Sequence, residues 1–263
     1  MRPPQPLLPL ASSIVFSLLS VALKLISYPL HFLTNNNNNN NNNSTPTPTH
    51  LLFIRGEKLL SDLSTWGIGG PCNHFVQVFD HHQLAAAIRY CNEQSIRYVV
   101  VGKGSNCLFD DLGFDGCVIL NSIVFLEKIE PGCYRAGSGY PVNRLGVQSV
   151  SEGFTGLEFA AGIPGTVGGA LYMNAGANGQ ETAGAVESIE IITTKGEYKT
   201  IKRRDLSFSY RSSPFQDMND LAAITAVTFR LKVSQSAKIK QQEYLKRLTI
   251  ASISISVVYG ECL

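Results

Sequence analysis

Two short stretches of this chain hold residues whose types and spacing can do chemistry. The first is Gly102-Lys103-Gly104-Ser105-Asn106. Two glycines flank a lysine and are followed by a hydroxyl and an amide, so one turn gathers several bare N–H groups, one cation and two side-chain donors. That donor set suits a phosphate. The second runs from Gly162 to Gly179 (GIPGTVGGALYMNAGANG), and half of its residues are Gly or Ala. Another flat or charged body can come close to such a backbone, which can also turn through positive φ. Pro164 suits the first turn of a short helix, where its missing N–H costs nothing. Small residues at Gly165, Gly168, Gly169 and Ala170 would leave that helix start bare, its amides turned outward as an anion or ring-edge site.

Neither stretch follows a common nucleotide fingerprint. Cys107 stands where a dinucleotide-binding loop wants its third glycine, and the residues after it (CLFDD) do not read as helix. No glycine precedes Gly102 at the spacing of a P-loop, and Lys103 is followed by glycine rather than Ser or Thr. Taken bare, each stretch could also be a turn that only serves packing. The six cysteines, at 72, 91, 107, 117, 133 and 262, form no CxxC pair and lack the histidine spacing of a zinc site. Most lie in apolar surroundings, so free buried thiols, no metal and a reducing compartment are expected.

The elements that must position these turns can be read from pattern. Arg97–Val101 (RYVVV) is a short apolar run of the buried-strand kind, and it empties directly into the lysine-bearing turn. Ahead of it lie a turn over 64–72 with the only tryptophan, a strand over Phe75–Phe79, and a helix capped by Asp80 with Leu84, Ala87, Ile88 and Cys91 on one face. Strands are predicted over Gly116–Asn121, Phe125–Glu130 and Cys133–Gly137, the last after a Pro131-Gly132 turn. A helix carrying Val142, Leu145, Val147 and Val150 should end near Gly153. Val186–Thr194 and Glu197–Ile201 flank Lys195-Gly196 as a hairpin. Val227, Phe229, Leu231 and Val233 alternate, which predicts a strand with one buried face. The class is α+β.

Composition bounds what this fold can serve. With 44% hydrophobic and 16% charged residues in 263, the chain has the make-up of a globular protein with a real core. Residues 1–56 contain Arg2, Lys24 and Arg55 and no acid; the rest of the chain keeps nineteen basic against twenty acidic side chains. A near-neutral body is not expected to bind nucleic acid or a membrane surface. Residues 1–50 do not read as part of the fold. Leu7–Leu33 is apolar and dotted with serine, and an unbroken asparagine run leads into STPTPTH, a low-complexity linker. This extension fits an organelle transit peptide, a signal sequence, or one membrane span interrupted by Lys24. Only in the last case, uncleaved, would the chain meet a membrane.

Five segments in order, STWGIGGPC, VVVGKGSNCLFDDLGFDGCVI, GLEFAAGIPGTVGGALYMNAGANG, FSYRSSPF and AITAVTFRL, carry a resemblance. Over residues 59–233 the chain resembles the UDP-N-acetylenolpyruvoylglucosamine reductases, also called UDP-N-acetylmuramate dehydrogenases, flavoenzymes of peptidoglycan precursor synthesis. The resemblance implies an FAD-binding domain of the vanillyl-alcohol-oxidase (PCMH) type over 57–233, in two α+β subdomains of about 57–121 and 122–233, with FAD between them. It places Gly102, Lys103, Gly104, Ser105 and Asn106 on the FAD pyrophosphate. It lays Gly162, Pro164, Gly165, Thr166, Gly168, Gly169, Asn174 and Gly176 along the ring and ribityl chain. No histidine stands in the phosphate turn to link the ring, so the implied FAD is non-covalent.

The implied chemistry has two halves: NADPH reduces the flavin, and the flavin reduces the enolpyruvyl double bond of a nucleotide-sugar substrate. Arg211 in SYRSS matches the arginine that stabilises the charge formed beside the substrate carboxylate. A guanidinium suits that task because it stays charged and can grip a carboxylate with two bonds. Tyr210 is implied on the substrate side. The family continues into a third, substrate-binding domain with a serine proton donor and a glutamate near its C-terminus. Residues 234–263 resemble only the start of that domain; neither counterpart is matched, and Glu261 sits in no family motif. Complete catalysis is then expected to need a longer form. The alternatives are a non-catalytic FAD-binding fragment, or an oxidase of the same fold acting on another small substrate. The acid-free extension on a cell-wall type of enzyme points to a plastid, with secretory delivery or membrane anchoring as the alternative.

Overall fold

A computed structural model describes residues 51–259, with side chains to Thr249. The targeting extension over 1–50, Glu261 and Cys262 lie outside the described residues. In chain order the elements are β1 (Ile54–Arg55), β2 (Cys72–Val78), α1 (His81–Glu93), β3 (Tyr98–Val101), β4 (Phe114–Asn121), β5 (Leu126–Glu130), β6 (Cys133–Gly137) and α2 (Val142–Ser151). There follow β7 (Phe154–Thr155), α3 (Val167–Tyr172), β8 (Gly176–Ala177), β9 (Gln180–Glu181), β10 (Val186–Thr193), β11 (Tyr198–Lys202), β12 (Leu221–Arg230), β13 (Lys232–Val233) and α4 (Ala237–Tyr259).

The first sheet has the order β1-β2-β4-β3, with β2, β4 and β3 parallel. A parallel sheet must be covered on both faces. Here Val76, Val78, Cys117 and Ile119 pack on α1 through Leu84, Ala87, Ile88 and Cys91. Phe75, Val101 and Val118 pack the other way with Leu60 and Cys72. Asp80 caps α1 as its type predicts, its carboxylate accepting from Gln83 N at 2.8 Å. All five cysteines among the described residues are free thiols, and four are buried.

The second sheet is antiparallel, in the order β11-β10-β12-β6-β5, and it carries the larger core with α2 and α3. Val227 and Phe229 of β12 point into that core. Two expectations for this strand fail. Ala226 and Thr228 on its other face are buried as well, because β12 is central and its ladder partners are Glu190 and Arg135, which are joined to each other by a two-bond ion pair. The strand also stops at Arg230: Leu231 N donates instead to Gly132 O at 2.7 Å, and Val233 on β13 is exposed. In α2 the buried face is Val142, Leu145, Gly146, Ser149 and Val150, and Val147 turns to solvent.

The two sheets meet through a buried polar link. Asn121 Nδ2, at the end of β4, donates to Ser138 Oγ just after β6 at 2.7 Å, and Asn121 Oδ1 accepts from Ile123 N at 3.1 Å. α4 closes the second core: Ala237, Gln241 and Tyr244 are buried, and Gln241 Nε2 donates to Gly146 O at 3.0 Å. No helix among the described residues is long and apolar enough to cross a membrane.

Candidate functional site

β3 ends at Val101, and the chain turns at once into Gly102–Asn106. Gly104 sits at φ +65°, and a Cβ there would fall 1.6 Å from Leu63 O, so the turn needs glycine both for its conformation and for its room. The 64–67 turn props it: Ser64 Oγ donates to Cys107 O at 3.0 Å and accepts from Trp66 N at 3.2 Å.

The other glycine-rich stretch comes to meet this turn. A Cβ on Gly102 would stand 2.5 Å from Thr166 Oγ1, and one on Gly165 would stand 3.2 Å from Ser105 Oγ. The two turns therefore touch over α-carbons that carry no side chain. Among the described residues, the backbone N–H groups of Lys103, Gly104, Ser105 and Asn106 donate no hydrogen bond, nor do those of Gly165 and Thr166. Two rows of open donors lie side by side, with Lys103 as the cation.

The donors are not those expected at a helix start. α3 begins at Val167, capped by Thr166, so Pro164 lies ahead of the helix rather than in its first turn. The first-turn amides of α3 are all taken: Val167 N by Tyr140 O and Gly168 N by Ser138 O, each at 2.8 Å, and Gly169 N by Thr166 Oγ1 at 3.3 Å. Gly168 is small because it seats on Ser138, where a Cβ would come 2.9 Å from the serine Cβ. The amides left without a partner among the described residues are the two that precede the helix, Gly165 and Thr166.

Lys103 is an exposed residue, yet crowding of protein atoms around its ammonium pushes its pKa below the usual lysine range, and the Arg144 guanidinium adds to the effect. Neither cation has an acidic partner among the described residues. Arg144 stands on α2, whose first residue, Val142, donates its N–H to Gly165 O at 3.2 Å. Sequence reasoning missed Arg144 because nothing in its own segment marks it.

Three expected cofactor residues sit elsewhere. Gly162 faces α4: a Cβ there would lie 2.4 Å from Leu248 Cδ1 and 2.9 Å from Tyr244 Oη. Gly176 is in the small β8–β9 hairpin, where a Cβ would meet Gln180 O at 2.3 Å; Asn178 and Gly179 at its tip both have positive φ. Asn174 is fully buried and its amide is spent within the fold.

Arg211 lies in a turn closed by reciprocal 3.1 Å bonds between Ser209 and Ser212. It is exposed and adopts φ +56°, a left-handed conformation rare for a bulky residue. Its guanidinium lies 5.7 Å from the Tyr210 ring centroid, and Tyr210 is 76% exposed. Among the described residues no acid pairs with Arg211. Its charge reaches Tyr244 of α4, whose phenol is pushed up by burial and drawn partly back by Arg211. Tyr210 and Arg211 thus remain together and open to solvent, as a site for an outside anion requires.

Glu158, also missed, is 3% exposed and accepts from the Thr155 hydroxyl, from Gly156 N at 2.8 Å and from Gln180 Nε2 at 3.1 Å. Burial, the largest single influence, pushes its pKa up, but these bonds outweigh it and hold the carboxyl below the ordinary range. It ties the residues before the glycine-rich stretch to the β8–β9 hairpin.

Residues 72–202 match the family described as FAD binding domain. The UDP-N-acetylenolpyruvoylglucosamine reductase of Protochlamydia amoebophila is 48% identical over 183 residues, covering 70% of this chain and 60% of the relative. That of Chlamydia abortus is 42% identical over 196 residues, covering 74% and 66%. Among solved structures, the UDP-N-acetylenolpyruvylglucosamine reductase of Thermus caldophilus superposes with a TM-score of 0.58 at 29% identity, covering 78% of this chain and 69% of that one. The chain thus spans about three fifths to two thirds of the length of the curated relatives it matches.

Proposed function

From the premise that this chain belongs to the family of UDP-N-acetylenolpyruvoylglucosamine reductases and has their α+β FAD-binding fold, we propose that it binds FAD without a covalent link and works on the enolpyruvyl ether of a UDP-sugar with NADPH as reductant. The observation that carries the reading is the contact of two glycine-bearing turns, Gly102 against Thr166 and Gly165 against Ser105, with the N–H groups of both that find no partner among the described residues beside it. A pyrophosphate fits such a place, since it asks for many donors, one cation and no Cβ in the way. Lys103–Asn106, Gly165 and Thr166 would hold it.

When bound, FAD supplies the hydride relay between nicotinamide and substrate. The residues of this chain do the rest. Arg211, open and without an acid partner among the described residues, grips the substrate carboxylate and stabilises the negative charge that develops next to it. Tyr210 flanks it on the solvent side. Thr166, itself buried, sets its hydroxyl against the Gly102 α-carbon between the two turns.

A visible spectrum of the purified chain with added FAD tests the reading. A yellow protein whose flavin is released by acid is expected; a folded, colourless protein that ignores FAD overturns it. Anaerobic NADPH should then bleach the flavin, and a flavin that stays oxidised would mark a binding module without turnover. In a longer form carrying the substrate-binding domain, replacement of Arg211 by Ala should depress reduction of the enolpyruvyl group by two orders of magnitude or more, on the scale of losing one preorganised charge donor, about 2.7–4 kcal/mol, while flavin reduction by NADPH persists. For residues 1–50 we propose plastid delivery, supported by the absence of acids there; a fusion of residues 1–56 to a fluorescent protein should reach plastids and not the secretory pathway.

A further inference from the structure

Both ends of the turn that carries Arg211 are tied to the end of α3. At one end Asn174 Nδ2 donates to Ser209 O at 2.8 Å; at the other, Ser213 Oγ donates to Tyr172 O at 2.6 Å. Asn174 itself is held on three sides. Its Nδ2 also donates to Glu181 Oε2 at 2.8 Å, and its Oδ1 accepts from Ala183 N at 3.1 Å. Its backbone takes φ +42° and ends α3 in a left-handed cap, with Ala175 N on Ala170 O at 2.7 Å and Asn174 N on Leu171 O at 3.0 Å. Glu181 can reach the amide because its hairpin partner is Gly176: a Cβ at 176 would press within 2.9 Å of Glu181 Cα and Cγ.

The guanidinium of Arg211 has no acid to steer it among the described residues, so its place is fixed by its backbone. That backbone is in a costly conformation which it keeps only while its surroundings over-determine it. We propose that Asn174, braced by Glu181, is the positioning residue for Arg211: a buried amide that clamps the Ser209–Ser212 turn and so aims the guanidinium at the substrate carboxylate. The inference rests on the reading of Arg211 given above. It also assigns Gly176 a role other than cofactor contact, that of leaving Glu181 room to brace the clamp.

An amide is required here because the point needs two donors and one acceptor. Aspartate would keep the size but set a carboxylate against Glu181 and against the Ser209 carbonyl. Glycine would keep the left-handed cap while removing the side-chain bonds to Ser209 O, Glu181 and Ala183 N together. The test therefore compares FAD-loaded full chains carrying Asn174→Gly, Asn174→Asp, Gly176→Ala and Arg211→Ala. Three readouts are taken: amide hydrogen exchange over 209–213, tryptic cleavage after Arg211 under native conditions, and binding of UDP-N-acetylglucosamine enolpyruvate followed by the flavin absorbance.

Asn174→Gly should bind FAD like the parent, yet exchange and cleavage at the turn should rise about tenfold or more, as loss of one or two buried bonds implies. Its substrate affinity should fall to that of Arg211→Ala, and the double variant should be no weaker than Arg211→Ala alone. Parent-like protection of 209–213 in Asn174→Gly overturns the clamp, as does full substrate affinity in that variant when Arg211→Ala has lost it. If parent, Arg211→Ala and Asn174→Gly all show the same substrate affinity, the reading of Arg211 falls, and exchange and cleavage alone decide the clamp. Should Asn174→Asp fail to fold, Asn174→Gly and Gly176→Ala still separate the outcomes.

Discussion

Arg211 is held at φ +56°, where a side chain other than glycine costs about 1–2 kcal/mol. A residue chosen for stability would not stand there. Arg211→Gly should therefore stabilise the fold by about 1 kcal/mol, read as a rise in thermal midpoint, while the proposed reduction of the enolpyruvyl group is lost; a fall in the midpoint would show that the side chain itself supports the turn. Glu158 gives a second test, through pH. Its carboxyl is held below the ordinary range by bonds from Thr155, Gly156 and Gln180 that overcome its burial. The stability it contributes is present above the unfolded value of about 4.3 and is lost as pH falls through the lower folded value. Glu158→Gln should lower stability at neutral pH and flatten the acid limb of the stability profile below about pH 4. An acid limb as steep as that of the parent would mean that another carboxylate governs it.

At the level of elements, the lysine-bearing turn was legible because a buried strand, β3, ends just where the glycines begin. Its partner was legible only in part. Within Gly162–Gly179, composition alone merges four distinct pieces: a linker facing α4, the open turn at Gly165–Thr166, the short helix α3, and the β8–β9 hairpin. The Asn178-Gly179 pair is a strong local hairpin signal, hidden by the other small residues around it. Proline favours first turns, which points Pro164 into the helix, whereas the cap is Thr166, whose hydroxyl accepts from Gly169 N and whose following residues, Val167 and Gly168, donate to Tyr140 and Ser138. Arg144 and Tyr244 were illegible, since their nearness to Lys103 and Arg211 arises from tertiary packing. The glycines can be told apart by experiment. Gly104→Ala drives a Cβ to 1.6 Å from Leu63 O and should prevent folding or cost several kcal/mol, beyond the usual range of single substitutions of about 0.5–3 kcal/mol. Gly179→Ala, at φ +76° with nothing within 4 Å, should cost only about 1 kcal/mol. Equal losses in denaturant midpoint would show that conformation, not room, is what Gly104 supplies.

For the molecule as a whole, the class and the longer strands along the chain could be read in advance because the apolar runs are short and turn residues bound them. What could not be read is how tightly the parts are shared. Residues 51–249 form one compact unit, with Ile192 and Ala223 of the second sheet packed in the α1 core of the first. The way α4 lies over Gly162 and reaches Gly146 has a practical consequence. Any effort to isolate a minimal flavin module by cutting the gene after Val233 would strip Tyr244 and Leu248 from an apolar seat and leave the Gly146 carbonyl without its donor. Such an excised piece should express poorly or aggregate, whereas one retaining residues 51–249 should yield monodisperse material on a sizing column. The segment that a homology-based boundary would discard is thus the one that lets the flavin half stand by itself.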